Sequence, residues 1–296
     1  MGNILTKQFY RQRKDFEDSC AGRDAGLTFP EGVICSTDIA YADDGIKAHL
    51  LDIYRPEDSQ EKILPVIINV HGGGLIIGNK EFNRYFCALL CKKGFLVYSI
   101  EYRLIPDCLI YDQIADVFMA MDYIKERLAA DGGDSSHVYM AGDSGGACLI
   151  TYANAIQNST NIARAANVTP SGLRINALGL ISGMFYTSRF DKIGLFLPKY
   201  LYGRDYKKTS FAKYVNPENR ELLNSLAPVW LVTSHNDFLR RYTTDFEKAL
   251  TRAEREHELV VFPKNKKLTH AFSVFEPFLS ESSAVIDMMV EYLRKF

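Results

Sequence analysis

The chain has 296 residues, of which 47% are hydrophobic and 24% charged, with a formal net charge of -1. That length lies at the upper end of what one hydrophobic core supports, so one large domain with an accessory piece is expected, and the composition is that of a globular protein. Near-neutral charge spread along the chain gives no footprint for nucleic acid, which leaves small molecules or proteins as partners.

No run reaches the roughly 18 uninterrupted apolar residues of a transmembrane helix. The polar start from Met1 to Asp18 has no apolar h-region, so no secretory leader is expected. Met1-Gly2-Asn3-Ile4-Leu5-Thr6 fits the N-myristoylation pattern, against the plainer reading of a free start running into a helix. Among the cysteines (Cys20, Cys35, Cys87, Cys91, Cys108, Cys148), only Cys87 and Cys91 are close, spaced as neighbours on one helix face. There is no CxxC and no Cys/His ligand pair, so no metal site is expected; reduced thiols in a cytoplasmic protein fit best.

In chain order, the first thirty residues read as a partly helical lead-in ending near Phe29-Pro30-Glu31-Gly32. Two β-like runs follow, Val33 to Tyr41 and Ile46 to Tyr54, and Asp43-Asp44-Gly45 between them is a hairpin signal. Strands and helices then alternate. Ile63 to Val70 is a nearly continuous apolar run, as for a strand buried on both faces. Phe82 to Lys92 is a predicted helix, Phe95 to Tyr102 a strand, Tyr111 to Ala130 a long helix, Val138 to Ala141 a short strand and Gly145 to Ile156 a helix. Further strands are predicted at Ala177 to Ile181, Val229 to Ser234 and Leu259 to Phe262, with helices at Thr243 to His257 and Glu281 to Lys295. Such alternation implies an α/β fold with a mostly parallel central sheet and helices on both faces. Between Gly183 and Leu226 the alternation fails in a segment rich in Phe, Tyr and Leu. We read residues 1–296 as a single domain, with residues 1–30 and 184–226 as small helical cap elements over the site; packed helices with no role there are the alternative.

Gly142-Asp143-Ser144-Gly145-Gly146 matches GxSxG, the strand-to-helix turn that exposes a nucleophilic serine. Its glycines let strand and helix approach without a Cβ clash. His71-Gly72-Gly73-Gly74 follows directly on a buried strand. Acyl transfer develops an oxyanion that needs preorganised N–H donors, and the amides of Gly73, Gly74 and Gly145 are the candidates. A phosphate-binding loop is the rival, but no Lys-Ser/Thr follows and no GxGxxG is present.

A serine needs a base, and the base an orienting acid. His49 falls in a predicted hairpin strand, His137 just before the serine's strand, His257 at a predicted helix end, and His71 in the glycine loop as a brace. His270, in the loop after the last strand, is the candidate base; His235, at a strand end beside Asp237, stays as the alternative. Asp237 follows the strand Val229 to Ser234 and so should share the carboxyl edge of the sheet with Ser144; Asp245, inside a predicted helix, is the fallback. The order Ser, Asp, His is that of the α/β-hydrolases.

With these residues the chain resembles the hormone-sensitive-lipase-like, or HGGG-esterase, branch of the α/β-hydrolases from about Ile63 onward. The resemblance rests on His71-Gly72-Gly73-Gly74 and Gly142-Asp143-Ser144, on Glu101-Tyr102-Arg103-Leu104-Ile105-Pro106-Asp107 beside the family's YRLAPE, on Asp237-Phe238-Leu239 beside DPL and on His270-Ala271-Phe272 beside HGF. It implies Ser144 as nucleophile, Asp237 and His270 as partners, Gly73 and Gly74 in the oxyanion hole, no metal or organic cofactor, and a cap. The chain departs from the family's GDSAGG at Gly145 and Ala147, has Phe238 for the usual proline, and has Arg241 where an acidic residue is usual. The expected activity is hydrolysis of short-chain acyl esters of small molecules. An amidase or peptidase on the same triad, or a binding protein without catalysis, are the rivals. A homodimer stays open.

Overall fold

The apolar runs of the sequence form the middle of an eight-stranded sheet in the order β1-β2-β4-β3-β5-β6-β7-β8. The computed structural model describes residues 2–59 and 62–296; Met1, where the myristoylation pattern starts, lies outside them. The strands are β1 Val33–Ala40, β2 Leu50–Pro56, β3 Leu64–Val70, β4 Leu96–Ile100, β5 Gly133–Asp143, β6 Ala177–Ile181, β7 Val229–Ser234 and β8 His257–Phe262. β1 and β2 are antiparallel, as are β2 and β4, and every other pair is parallel. The helices are α1 Gly2–Asp24, α2 Arg84–Lys92, α3 Ile110–Arg127, α4 Ser144–Asn158, α5 Thr160–Ala166, α6 Lys192–Phe196, α7 Pro198–Leu201, α8 Arg220–Asn224, α9 Arg240–Arg252, α10 Phe272–Phe275 and α11 Ser280–Leu293.

Side chains alternate along each strand, so the sheet divides the core in two. Val66, Ile68 and Val70 of β3 join Leu178 and Leu180 of β6 on the face covered by α3, α4 and α9. Ile67, Ala177, Trp230 and Val232 point to the other face, under α2, α10 and α11. Chain direction positions the site. From β3 the chain moves to β4 on one side, then crosses to β5 on the other, which makes the carboxyl ends of β3 and β5 the switch point where a ligand crevice opens in such sheets.

Several boundaries differ from expectation for local reasons. The hairpin forms, but β2 begins at Leu50 rather than Ile46. Asp44 ties the intervening loop by accepting the Ile46 amide at 3.0 Å and by pairing with His49 at 2.7 Å. His49 is therefore not in a strand; it is buried in the loop, its Nε2 3.1 Å from Asp116. β5 starts five residues early because Leu64 pairs with Gly133. It includes His137, whose ring bonds Asp134 at 2.7 Å. α9 ends at Arg252, and Glu254 takes a left-handed φ of 54°, so His257 opens β8 instead of ending a helix. α5 was not expected; the Ser159 hydroxyl starts it by accepting the Ile162 amide at 3.3 Å.

The segment between β6 and β7 has two parts. Tyr202, Phe211 and Tyr214 are buried in the main core, and the Tyr202 hydroxyl meets those of Tyr152 of α4 at 3.1 Å and Thr187 at 2.7 Å. Residues 188–197 are more open, with Phe190, Leu195 and Phe196 exposed. At the N-terminal end, Arg13 fastens α1 by donating to Ile76 O at 2.7 Å, Ile105 O at 2.6 Å and Asp107 at 2.7 Å.

Candidate active site

Ser144 stands where β5 turns into α4, in a left-handed conformation with φ of 50°. A non-glycine residue held there is strained, and the packing around it explains why it stays. A Cβ at Gly146 would lie 2.1 Å from Val70 O, and one at Gly142 2.9 Å from the same atom. Only glycine lets α4 sit so close to β3, and that closeness tips Ser144 out toward the crevice. The Ser144 carbonyl accepts the Met184 amide at 2.9 Å, which ties the turn to the segment after β6.

The loop after β3 faces this turn. Gly73 has φ of 102°, and a Cβ there would meet Ile77 O at 2.0 Å; Gly74 has φ of 62° with open space around it. Gly73 is thus fixed by room and conformation, Gly74 by conformation alone. Among the described residues, neither amide donates to a protein acceptor. The Gly145 amide belongs to the first turn of α4, where amides have no partner one turn back. The Gly74 and Gly145 backbones lie close together beside Ser144, where a Cβ on Gly145 would fall 3.0 Å from Gly74 N, at the positive end of a helix.

Two carboxylates stiffen the loop, and neither was singled out from sequence. Asp143 accepts the Gly72 amide at 3.0 Å and the Asn83 side chain at 2.9 Å. Burial pushes its pKa up, against these bonds and the charges of His71 and His270. Glu101 lies 3.2 Å from His71 Nε2 and accepts the Lys80 amide at 2.8 Å. His71 Nδ1 is 2.9 Å from Gly72 O, and its ring stacks on Tyr102 with centroids 4.3 Å apart. Burial lowers its pKa, but Glu101 and the Gly72 carbonyl outweigh that and raise it. The expected bracing role of His71 matches these contacts.

Asp237 lies just past the end of β7, and His270 in the loop between β8 and α10. His270 Nδ1 donates to Asp237 Oδ1 at 2.7 Å, and the same oxygen accepts the Leu239 amide at 2.8 Å. Thr233 donates to Oδ2 at 2.9 Å. Burial raises the Asp237 pKa, but His270, the Ser182 hydroxyl and the Leu239 amide outweigh it and hold the group below its ordinary value. Ser182 also accepts the Ala271 amide at 3.1 Å, so one hydroxyl touches both the acid and the loop that carries the imidazole. It sits just past β6 with φ of 51°, and its position at a parallel strand's carboxyl end was the available sequence signal.

The alternatives fall elsewhere. The His235 ring bonds Arg240 at 2.9 Å in an exposed setting. Asp245 pairs with Arg189 at 2.9 Å, and Arg241 and Lys248 each lie 3.6 Å away. Ser144, His270, Gly73 and Gly74 line one cavity of about 440 Å³. The rest of its wall is apolar apart from Asp143, with Phe16 from α1, Phe82, Phe275, Phe238, Met184, Ile193 and Leu197. Among the described residues no group of three or more His, Cys, Asp or Glu could hold a metal ion. No helix there is long and apolar enough to cross a membrane.

The fold defines the class, an α/β-hydrolase. A family model described as alpha/beta hydrolase fold matches residues 67–273, and the chain belongs to that family. A probable isoprenylcysteine alpha-carbonyl methylesterase of Oryza sativa subsp. japonica is 29% identical over 184 residues, which cover 58% of this chain and 44% of that protein. Esterase LipQ of Mycobacterium tuberculosis is 33% identical over 120 residues, covering 40% of this chain and 28% of the relative. The chain thus matches less than half the length of these relatives. The crystal structure of esterase B from Lactobacillus rhamnosis superposes with a TM-score of 0.92 at 22% identity, covering 100% of this chain and 96% of that one.

Proposed function

We propose that the chain is a serine carboxylic-ester hydrolase for short-chain acyl esters of small, uncharged molecules, with Ser144 as nucleophile, His270 as general base and acid, and Asp237 as its orienting acid. The observation that carries this reading is the shared cavity. A strained serine, an imidazole bonded to a buried carboxylate at 2.7 Å and unpaired glycine amides all border one apolar space. His270 uses Nδ1 on Asp237, which leaves Nε2 to take the Ser144 proton as Oγ attacks the ester carbonyl. The resulting oxyanion accepts from the amides of Gly73, Gly74 and Gly145. Collapse expels the alcohol, which takes the proton back from His270. Water, activated by the same nitrogen, then releases the acid.

The names of the relatives, esterases and a methylesterase, support ester chemistry. The cavity of about 440 Å³ suits a small ester, and its apolar wall leaves a charged substrate group without a partner. Phe16 from α1 and Met184, Ile193 and Leu197 from the first part of the segment after β6 line the cavity, which supports residues 1–30 and 184–226 as cap elements.

Ser144→Ala is expected to cut p-nitrophenyl acetate turnover by several orders of magnitude and to abolish labelling by a fluorophosphonate probe. Undiminished turnover would overturn the assignment. Amide turnover equal to ester turnover would move the reading to an amidase, and a maximum at long acyl chains would overturn the short-chain preference.

A further inference from the structure

We propose that the alcohol released by this esterase is aromatic, bound in a box of four phenylalanines on the His270 side of the cavity. The inference rests on the esterase reading above and adds to it the class of leaving group. It begins with which end of the cavity must hold which half of the ester. The carbonyl oxygen is directed to the glycine amides and the carbonyl carbon to Ser144. The nitrogen that returns a proton to the leaving oxygen is His270 Nε2, because Nδ1 is bound to Asp237. The alcohol therefore leaves along the wall next to His270.

Phenylalanines stand out there, alongside Leu239. The Phe238 ring lies against the His270 imidazole with centroids 4.4 Å apart and planes at 44°. Phe275 ends α10, the helix that begins two residues after His270, and meets Phe82 edge-on at 4.6 Å and 70°. Phe82 in turn lies 4.8 Å from Phe16 of α1, at 59°. All four rings line the cavity. The Arg23 guanidinium holds the box from outside, 4.3 Å over the Phe82 ring, while donating to the Phe82 carbonyl at 2.9 Å. Met184, Ile193 and Leu197, from the segment after β6, add aliphatic side chains to the lining. Faces and edges presented at several angles suit an aryl ring, which gains from their quadrupoles as well as from area burial; a saturated ring gains from area only.

Phe238 sharpens the argument. It stands where the HGGG esterases usually have proline, and it is 74% exposed. This open ring lines the cavity and packs against His270. A planar leaving group stacked there would be held within reach of the proton it needs.

The test compares benzyl acetate with cyclohexylmethyl acetate, two acetates of primary alcohols with the same carbon skeleton, and divides each kcat/KM by the rate of hydroxide-catalysed hydrolysis. The expected corrected ratio favours the benzyl ester about five- to tenfold, the size of an aromatic pairing preference. It should fall toward one in Phe238→Leu, a replacement at an exposed position that the fold tolerates, and independently in Phe275→Leu. A wild-type ratio of one or less, or a ratio unchanged in both variants, overturns the aromatic box while leaving the esterase reading in place. No turnover of either ester, with no fluorophosphonate label on Ser144, overturns both.

Discussion

The carboxylate of Asp143 accepts the amide of Gly72 at 3.0 Å, so the residue before Ser144 holds the loop that carries Gly73 and Gly74. The contact is tight from both sides, since a Cβ on Gly72 would lie 2.1 Å from Asp143 Oδ2. The Ser144 turn and the glycine loop are thereby tied directly to each other.

Asp143→Ala should break that tie. It leaves the Gly72 amide without its acceptor and the Asn83 side chain with only Asn69 Oδ1 at 3.4 Å, at a cost of about 1–3 kcal/mol in unfolding free energy. Displacement of the loop by about 1 Å should lower kcat for p-nitrophenyl acetate up to about a hundredfold, with KM changing less. Asp143→Asn keeps an acceptor oxygen and should recover most of both losses. Denaturant melts and steady-state kinetics on the two variants check this, and a wild-type kcat in the alanine variant rules it out.

Gly145 gives the second prediction. The GDSAGG pattern that the chain resembles has alanine after the serine, yet here an added Cβ would fall 2.8 Å from Leu75 N and 3.0 Å from Gly74 N. The obstacle is backbone, which cannot swing aside as a side chain can, so the amide loop must retreat. Gly145→Ala should reduce kcat by about tenfold to a hundredfold, with little effect on stability. Labelling by fluorophosphonate should slow in parallel, because the phosphonyl oxygen uses the same amides. Equal kinetics for the two proteins would mean that the loop adjusts freely.

Sequence reasoning reached the strands of the central sheet because β3, β4, β6 and β7 are apolar on both faces and short, a pattern few other structures share. It placed Ser144, Asp237 and His270 at one sheet edge because parallel strands deliver their following residues there, and in the structure Ser144 and His270 line one cavity while His270 bonds Asp237. It missed what depends on partners distant in sequence. Glu101 and Asp143 became braces only when β3, β4 and β5 were adjacent, and Ser182 only when the His270 loop folded back over β6. Phe16 could not be assigned to the cavity wall, since nothing in α1 states where the helix docks; Arg13, with three bonds to residues 76, 105 and 107, determines that.

The last prediction concerns acid and follows from Asp237. Its folded pKa is held below the ordinary aspartate value: burial raises it, but the bonds from His270, Ser182 and Leu239 prevail. A depressed carboxylate pKa stabilises the folded state in full above the unfolded value of about 3.9, and that contribution fades as pH falls through the folded value. Asp237→Asn should therefore melt at a lower temperature than the wild type near neutral pH, and the gap should narrow below about pH 4 as the wild-type carboxylate takes up its proton. The same substitution should lower turnover by about four orders of magnitude, because an amide in that place favours the wrong imidazole tautomer. Thermal melts from pH 3 to 8 read the first effect and p-nitrophenyl acetate assays the second. A melting gap that stays constant below pH 4 would show that the Asp237 carboxylate is not depressed by its partners.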